Sequence, residues 1–249
     1  MIKGICKLCE EERELCKQSH IIPNFLFRDL KKEEGHFFLV KSKDNQYEKK
    51  GKLQTGEFDK NILCEKCENE VLGHYENYGA EVLKGGVKLK MSNKKADGVS
   101  FLEIGDIDYA SFKLFILSIL WKSSISKREL FKEISLGPYE NVIGEMILNE
   151  NPGKSSEFPF LIFTYLNHKD IPSDLITQPR RSKFNGGTTY NFLVGGMSYT
   201  IFISKHIIPD FVYETTIKED NALKIIYTDK HIRNTILKAM TGLDIFRYT

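Results

Sequence analysis

The feature that most constrains this chain is a pair of short cysteine motifs near its N-terminus. Cys6 and Cys9 form one C-x-x-C pair, and Cys64 and Cys67 form the second. A tight turn across each pair directs two thiolates at one metal ion, and two such pairs supply the four ligands of a tetrahedral zinc site. We therefore predict one structural Zn²⁺ ion held by these four cysteines.

Redox chemistry and nucleophilic catalysis are the alternative uses of these cysteines. A single C-x-x-C motif is sufficient for redox chemistry, so the presence of two favours a metal. The fifth cysteine, Cys16, belongs to neither pair. We expect Cys16 to be a small buried hydrophobic residue, with a catalytic thiol as the less favoured interpretation.

The sequence also bears on the compartment of the protein. Charged residues follow the first cysteines directly, without the apolar core of a signal peptide. The most apolar run, from Phe112 to Trp121, is shorter than the roughly 20 residues that span a bilayer. We expect no transmembrane helix, no membrane partner and a cytoplasmic location, in which thiols stay reduced and disulfides are rare.

The chain divides into two predicted pieces at a Gly- and Lys-rich stretch that ends near Gly98. Every cysteine lies before this boundary, whereas the single tryptophan and the long helical patterns lie after it. We therefore predict a small zinc-bound module over residues 1–98 and a larger α+β domain over residues 99–249.

In the second piece, helical patterns come first and strand patterns follow. The predicted helices are residues 106–124, Ser126 to Ser135, Pro138 to about Asn149, and Asp229 to Met240. The predicted strands are residues 158–166, 188–194, 198–204 and 223–228, with Gly195-Gly196 as the turn between the middle two. The fold class is therefore α+β, with helices followed by an antiparallel sheet.

Charge does not by itself indicate a nucleic-acid partner, because the formal net charge is only +2. Two local clusters are basic. One is a run of lysines without an acid, namely Lys84, Lys88, Lys90, Lys94 and Lys95, and the other is Arg180, Arg181 and Lys183 in a segment expected to be a loop. Solvated surface explains each cluster, unless another feature requires a polyanion.

Between the two cysteine pairs lies a histidine, His20, in the segment SHIIP. The order of the segments is a cysteine turn, an extended stretch, and a second cysteine turn that opens a helix. This order is that of a treble-clef zinc module. The same HIIP letters recur around His206, but no cysteine is near them, so we expect His206 to be structural.

The segments CKLC, SHIIP and NILCEKCENE resemble the HNH endonuclease family, in the subset whose ββα-metal core is held by a four-cysteine zinc. The resemblance covers residues 6 to about 76. A looser resemblance to uncharacterised bacterial HNH-like proteins extends to FILSILWKSSIS and SLGPYE, and some of those proteins are expected in anti-phage defence.

The family resemblance implies roles for individual residues. It implies that His20 is the general base, that Asn61 or Asp59 orients it, and that Glu68 and His74 help to bind a catalytic Mg²⁺ or Mn²⁺ ion. The sequence departs from the family at Ser19, Asp59 and Glu68, where the family has Asp, Asn and His.

The same acidic residues also have a plain structural interpretation. Glu70 and His74 share one helix face, whereas Glu68 and Glu76 lie about 80° apart around an ideal helix. Acids in a first turn complement the helix dipole, and an exposed histidine is usually only exposed.

The resemblance implies a metal-dependent endonuclease that hydrolyses phosphodiester bonds, with double-stranded DNA rather than RNA as the expected partner. Lys88, Lys90, Lys94 and Lys95 would then contact the nucleic-acid backbone. Residues 99–249 would serve as a regulatory half that docks a protein partner. The alternative is a non-catalytic zinc module that binds nucleic acid or protein and carries a decayed HNH site.

Overall fold

The computed structural model describes residues 2–28, 37–43, 46–53, 55–164, 176–194, 196–203, 208–229 and 234, with only the backbone for 37–43 and 46–53. The strands are β1 Ile2–Ile5, β2 Glu12–Leu15, β3 Ser19–His20, β4 Phe37–Lys43, β5 Gln46–Leu53, β6 Phe58–Asp59, β7 Lys90–Ala96, β8 Val99–Gly105, β9 Phe160–Thr164, β10 Arg180–Phe184, β11 Gly187–Val194, β12 Met197–Phe202 and β13 Leu223–Tyr227. The α-helices are α1 Phe25–Arg28, α2 Gly73–Lys84, α3 Tyr109–Ile125, α4 Tyr139–Leu148 and α5 Asp210–Thr215. A π-helical segment, Lys66–Leu72, runs directly into α2.

The largest element is a seven-stranded sheet in the order β10-β11-β12-β9-β13-β8-β7. The predicted strands of the second piece correspond to β9, β11, β12 and β13, which confirms the α+β class. We expected a purely antiparallel sheet, but β9 and β13 pair in parallel. Parallel neighbours need a crossover connection, and the long chain between these two strands supplies it.

The hairpin of β7 and β8 lies where we predicted a domain boundary. Its turn consists of Asp97 and Gly98, both with positive φ, and both of its strands belong to the seven-stranded sheet. One hydrophobic core joins Ile21 and Leu63 of the first piece to Trp121 and Phe192 of the second. The sheet and the core therefore extend across position 98, and the division into two domains stays a prediction.

The predicted buried helix is confirmed as α3, whose middle residues are covered on every side. Its Asp108 side chain accepts a hydrogen bond from the Ser111 backbone N–H and caps the first turn. The helix packs against α2 and α4 on one side and, through Phe112 and Phe160, against the sheet on the other. Because α3 touches all three, it is the centre of the molecule.

The two helices predicted after α3 had different outcomes. The segment Ser126 to Ser135 is not a helix but contains one short 3₁₀ turn, Glu129–Phe131, because the Ser126 hydroxyl and the Lys127 N–H are bonded to Asp59 instead. The next prediction is confirmed, because α4 begins directly after Pro138.

The basic segment at Arg180 is a strand and not the loop that we expected. It is β10, which pairs with β11 through a turn at Asn185-Gly186, both with positive φ. Asn-Gly is the strongest two-residue hairpin signal, so the strand was recognisable from the sequence. The predicted helix from Asp229 to Met240 falls almost entirely outside the described residues, as does His206.

Among the described helices, none combines the length and the apolar character that crossing a membrane requires.

The contact between α2 and α3 depends on a glycine, which makes the core testable. A Cβ atom at Gly79 would lie 2.6 Å from Cγ of the Phe115 ring. We expect Gly79→Ala to lower the free energy of unfolding by about 1–3 kcal/mol, because the buried ring must move. Urea denaturation measures the change.

Gly73 in the same helix is the matched control. A Cβ atom there meets nothing closer than the Glu68 carbonyl oxygen at 3.5 Å. Gly73→Ala should leave the stability unchanged or raise it by about 0.5–1 kcal/mol through helix propensity. Equal effects at the two glycines would contradict the described packing of α2 on α3.

Candidate functional site

The four paired cysteines lie together at one end of the molecule. Their Sγ atoms are all within 4.8 Å of one another. Zn–S bonds of 2.3 Å in a tetrahedron require sulfur atoms about 3.8 Å apart, so small side-chain adjustments accommodate the ion. The cluster is therefore compatible with the predicted structural zinc.

Backbone hydrogen bonds bring the two cysteine pairs together from distant parts of the chain. Cys6 and Cys9 lie in the turn between β1 and β2. The Lys7 N–H donates to the Ile62 carbonyl and the Cys16 N–H donates to the Leu63 carbonyl. These bonds hold the segment before Cys64 along the β1–β2 hairpin, so the second pair meets the first.

The electrostatics of the cluster favour a thiolate at Cys6. Hydrogen bonds from the Cys67 side chain and from backbone N–H groups lower the pKa of Cys6 to about 4, although burial opposes this effect. Burial raises the pKa of Cys16, which stands outside the cluster. Cys16 therefore lacks the environment of a reactive thiol.

A second group of polar residues surrounds His20, where two short strands meet a helix. β3 and β6 pair antiparallel, with Ser19 opposite Asp59 and His20 opposite Phe58. The π-helical segment that follows contributes Glu68, whose carboxylate lies near the Ser19 side chain and the backbone N–H of His20. Ser19, His20 and Glu68 are thus brought together, although 48 positions separate His20 from Glu68.

The hydrogen bonds of His20 define its tautomer. Its Nε2 lies 2.8 Å from the Thr55 hydroxyl, and that hydroxyl donates its one proton to Asn24 Oδ1 at 3.2 Å. With that proton engaged by Asn24, Thr55 accepts from His20, which favours the tautomer with the proton on Nε2 and the lone pair on Nδ1. Burial and the positive charge of Lys122 lower the pKa of the ring. Nδ1 is consequently an unprotonated base near neutral pH.

Ser19 and Glu68 form a buried and incompletely bonded pair beside the histidine. Ser19 is fully buried, and within the described part of the chain its Oγ and the Oε2 of Glu68 have no hydrogen-bond partner of ordinary geometry. Burial raises the pKa of Glu68, and the charge of Lys122 partly offsets that rise. Unpaired buried oxygens are rare in proteins and are costly without a cation or water.

A lysine from α3 completes this group. Lys122 is fully buried, and its ammonium forms an ion pair with the Glu76 carboxylate of α2. The positive charge of Lys122 also acts on the Glu68 carboxyl group, where it partly offsets the rise in pKa that burial causes. The 80° expected between Glu68 and Glu76 assumed an α-helix throughout, but a π-helix turns less per residue and so reduces this angle.

Neither of the two residues predicted to orient His20 has a described side-chain contact with its ring. The Asp59 carboxylate accepts hydrogen bonds from the Ser126 hydroxyl at 2.6 Å and the Lys127 N–H at 3.0 Å. Asn61 has positive φ, and its N–H donates to the Cys16 carbonyl, which makes it a turn residue. Thr55 is the residue that bonds the ring.

His74 lies away from Glu68, on the part of α2 that meets the start of α3. It is exposed, and its Nε2 is 3.5 Å from the Ser111 hydroxyl. Ser111 precedes Lys122 by about 16 Å along α3, given the helical rise of about 1.5 Å per residue. Apart from the four cysteines, the described residues contain no group of three or more His, Cys, Asp or Glu that can hold a metal ion.

The predicted basic clusters lie on the two edge strands of the sheet. Lys90, Lys94 and Lys95 are on β7, Lys88 precedes it, and Arg180, Arg181 and Lys183 are on β10. Lys90 and Lys94 already form ion pairs, with Asp106 and Glu103. Six strand spacings separate the two edges, about 29 Å, so the clusters do not form one patch. Charge on an edge strand also protects it from pairing with other chains.

We predicted no role for Thr55 or Lys122 from the sequence. Thr55 has no motif around it, and only the folded chain brings it to His20. Lys122 did carry a signal, because a lysine in the middle of a helix that is apolar on all sides must be buried and therefore must have a partner.

Comparison with known proteins identifies no relative of this chain, since no family model, curated protein or solved structure matches it.

The cysteine cluster makes a direct prediction about metal content. We expect the purified protein to contain about one zinc ion per chain, and Cys64→Ser to lose zinc and to unfold, because a structural metal site and its fold form together. Metal analysis and circular dichroism measure both effects. Cys16→Ser is the matched control, and zinc content that depends on Cys16 would contradict the assignment.

The state of His20 can be tested without any assay of activity. In ¹⁵N NMR spectra we expect the ring to be the Nε2–H tautomer at neutral pH, and to become protonated only below the ordinary histidine pKa of about 6.5. The pKa of the ring is lowered because burial and the positive charge of Lys122 both disfavour the protonated form.

Thr55 provides the matched pair of variants for this measurement. Thr55→Val removes the acceptor and should mix the two tautomers, whereas Thr55→Ser keeps the hydroxyl and should keep the Nε2–H form. A ring that titrates above 6.5, or a tautomer insensitive to Thr55→Val, would argue against this geometry.

Proposed function

We propose that this protein hydrolyses phosphodiester bonds of nucleic acid, with His20 as the general base in a zinc-stabilised ββα unit of the HNH type. The observation that supports this proposal most is the arrangement of β3, β6 and the following helix around His20. Its Nε2 is occupied by Thr55, so Nδ1 carries the available lone pair.

The reaction requires few groups. Nδ1 of His20 accepts a proton from a water molecule as the water oxygen attacks phosphorus. The bond from phosphorus to the leaving oxygen breaks, and that oxygen takes up a proton from solvent water. The bond from Thr55 holds the ring in the productive tautomer. Zinc, when bound, stabilises the fold and takes no part in the chemical step.

The predicted catalytic Mg²⁺ or Mn²⁺ ion does not fit the described residues well. The buried oxygens of Ser19 and Glu68 are suitable donors, but these ions need several more. The Lys122 ammonium pairs with Glu76, and its positive charge also acts on Glu68. A divalent ion about 4 Å from an ammonium is repelled by about 8 kcal/mol at an effective dielectric constant of about 20. We therefore assign no step of the reaction to such an ion.

The partner assignments remain part of this proposal. Double-stranded DNA is the expected substrate, and Lys88 and Lys95 are exposed near the start and the end of β7 where they can contact its backbone. A role in anti-phage defence stays a prediction from the family resemblance, and a regulatory protein partner for residues 99–249 stays one from the two-piece layout and that resemblance. The cytoplasmic location stays a prediction from the sequence pattern.

A second candidate function is a non-catalytic zinc module that binds nucleic acid or protein. The observation that favours it is that two charged side chains near His20 are used inside the fold. Asp59 accepts a hydrogen bond from Ser126, and Lys122 forms an ion pair with Glu76. A site reshaped in this way can preserve the architecture without the chemistry.

The base assigned to His20 predicts a large kinetic effect. We expect His20→Ala to slow the cleavage of plasmid DNA by about 10²- to 10⁴-fold, since that is the contribution of a positioned general base. The measurement compares supercoiled plasmid, single-stranded DNA and RNA as substrates.

His74→Ala is the control, because His74 is exposed and lies beside Ser111 rather than beside Glu68. It should cleave at the wild-type rate. Wild-type protein that cleaves none of the three substrates but binds one of them would support the non-catalytic alternative instead.

A further inference from the structure

Lys122 is the least expected group in the described part of the molecule. It belongs to α3, in the region after residue 98, yet its ammonium reaches the acidic residues of the helix that follows Cys67. Its side chain is fully buried, and Glu76, its partner, is itself only 22% exposed. A buried ammonium is costly unless polar groups compensate it, and here the compensating group is the Glu76 carboxylate.

Several contacts hold α3 in the position that delivers this lysine. Just beyond its C-terminal end, the Ser126 hydroxyl and the Lys127 N–H donate to Asp59 on β6. The Arg128 guanidinium also donates to Glu57 at 2.8 Å. Nearer its N-terminus, Phe115 packs over Gly79 of α2. The helix is therefore fixed to β6 and to α2, the elements on either side of the acidic group.

Acidic and polar groups from several elements lie in the region of this ammonium. The Glu76 carboxylate pairs with it directly, and the Glu68 carboxylate and the His20 ring are close enough to respond to its charge. Ser19 Oγ and Glu68 Oε2 have no ordinary hydrogen-bond partner among the described residues. The group thus contains two carboxyl groups and one ammonium.

We propose that Lys122 is a built-in cation that occupies the electrostatic position of a divalent metal ion beside His20, and so excludes such an ion from the native protein. Removing its charge would leave the Glu76 and Glu68 carboxyl groups and the Ser19 hydroxyl without a cation, and such oxygens are hard donors suited to Mg²⁺ or Mn²⁺. The catalytic consequence, which is hydrolysis without added divalent ion, rests on the proposed function. The exclusion of the ion by Lys122 is independent of that function.

The first experiment measures Mn²⁺ binding to the zinc-loaded full-length protein by electron paramagnetic resonance. We expect Lys122→Ala to bind one Mn²⁺ ion at least about tenfold more tightly than wild type, because the repulsion is removed. Lys122→Met, which keeps more of the buried volume, should also gain affinity if the Ala variant folds poorly. Combining Lys122→Met with Glu76→Gln and Glu68→Gln should abolish the gain.

Lys113→Met is the matched control, because Lys113 is a second buried lysine of the same helix, bonded to the Tyr109 hydroxyl and the Lys154 carbonyl. Its loss should not change Mn²⁺ affinity. The wild-type measurement can overturn the inference even if every Lys122 variant unfolds. A wild-type protein that binds Mn²⁺ tightly, and loses it on Glu68→Gln, overturns the proposal.

The second experiment measures cleavage in buffer without divalent ions and again with added Mg²⁺ or Mn²⁺. Wild-type hydrolysis should be unchanged by the added ions, whereas Lys122→Ala should be slowed about 10²-fold or more without them and partly restored by Mn²⁺. Strict dependence of the wild type on Mg²⁺ overturns the proposal. Absence of all cleavage contradicts the proposed function alone, since the Mn²⁺ affinities still decide the position of Lys122.

Discussion

The meeting of the two cysteine pairs, Cys6 and Cys9 with Cys64 and Cys67, is the constraint on which the rest of the N-terminal structure depends. β3 and β6 are each only two residues long, and strands of this length do not pair stably alone. Backbone bonds from Lys7 and Cys16 to the segment before Cys64 fix the register. Because Glu68 directly follows Cys67, the meeting of the two pairs also sets the carboxylate beside Ser19 and His20.

The second constraint is α3, which the two halves of the chain share. It is apolar on all sides, so it must be covered by α2, α4 and the sheet at once. This requirement packs the helix that follows Cys67 against α3, which belongs to the later sequence. The polar group at His20 is consequently not a property of residues 1–98 alone, because Lys122 belongs to α3 and Ser126 directly follows it.

The parts of the site that sequence could predict are those that depend on spacing along the chain. The cysteine pairs are local motifs with one dominant chemistry, and the structure brings the four sulfur atoms together. The position of His20 relative to the cysteines was equally visible. Thr55 was not, because it contacts His20 from 35 positions away and no local pattern marks it.

The errors have physical causes of the same kind. Asp59 was predicted to orient His20 from its alignment to a family position, but its carboxylate caps the chain at Ser126 and Lys127 instead. The resemblance implied that His74 and Glu68 bind one metal ion, whereas the His74 ring lies beside Ser111. A loop was predicted at Arg180, but the Asn185-Gly186 turn that follows lets this segment pair with β11 as a strand.

The sequence by itself determined the four-cysteine group, the α+β class, the buried helix and the candidate base, because each of these depends on residue type and on short-range periodicity. The tertiary structure alone decided which charge faces that base. The fold carries Lys122 to Glu76 across 46 positions, and a buried charge is acceptable only where a partner compensates it. Such pairing is a property of packed surfaces, which no local pattern encodes.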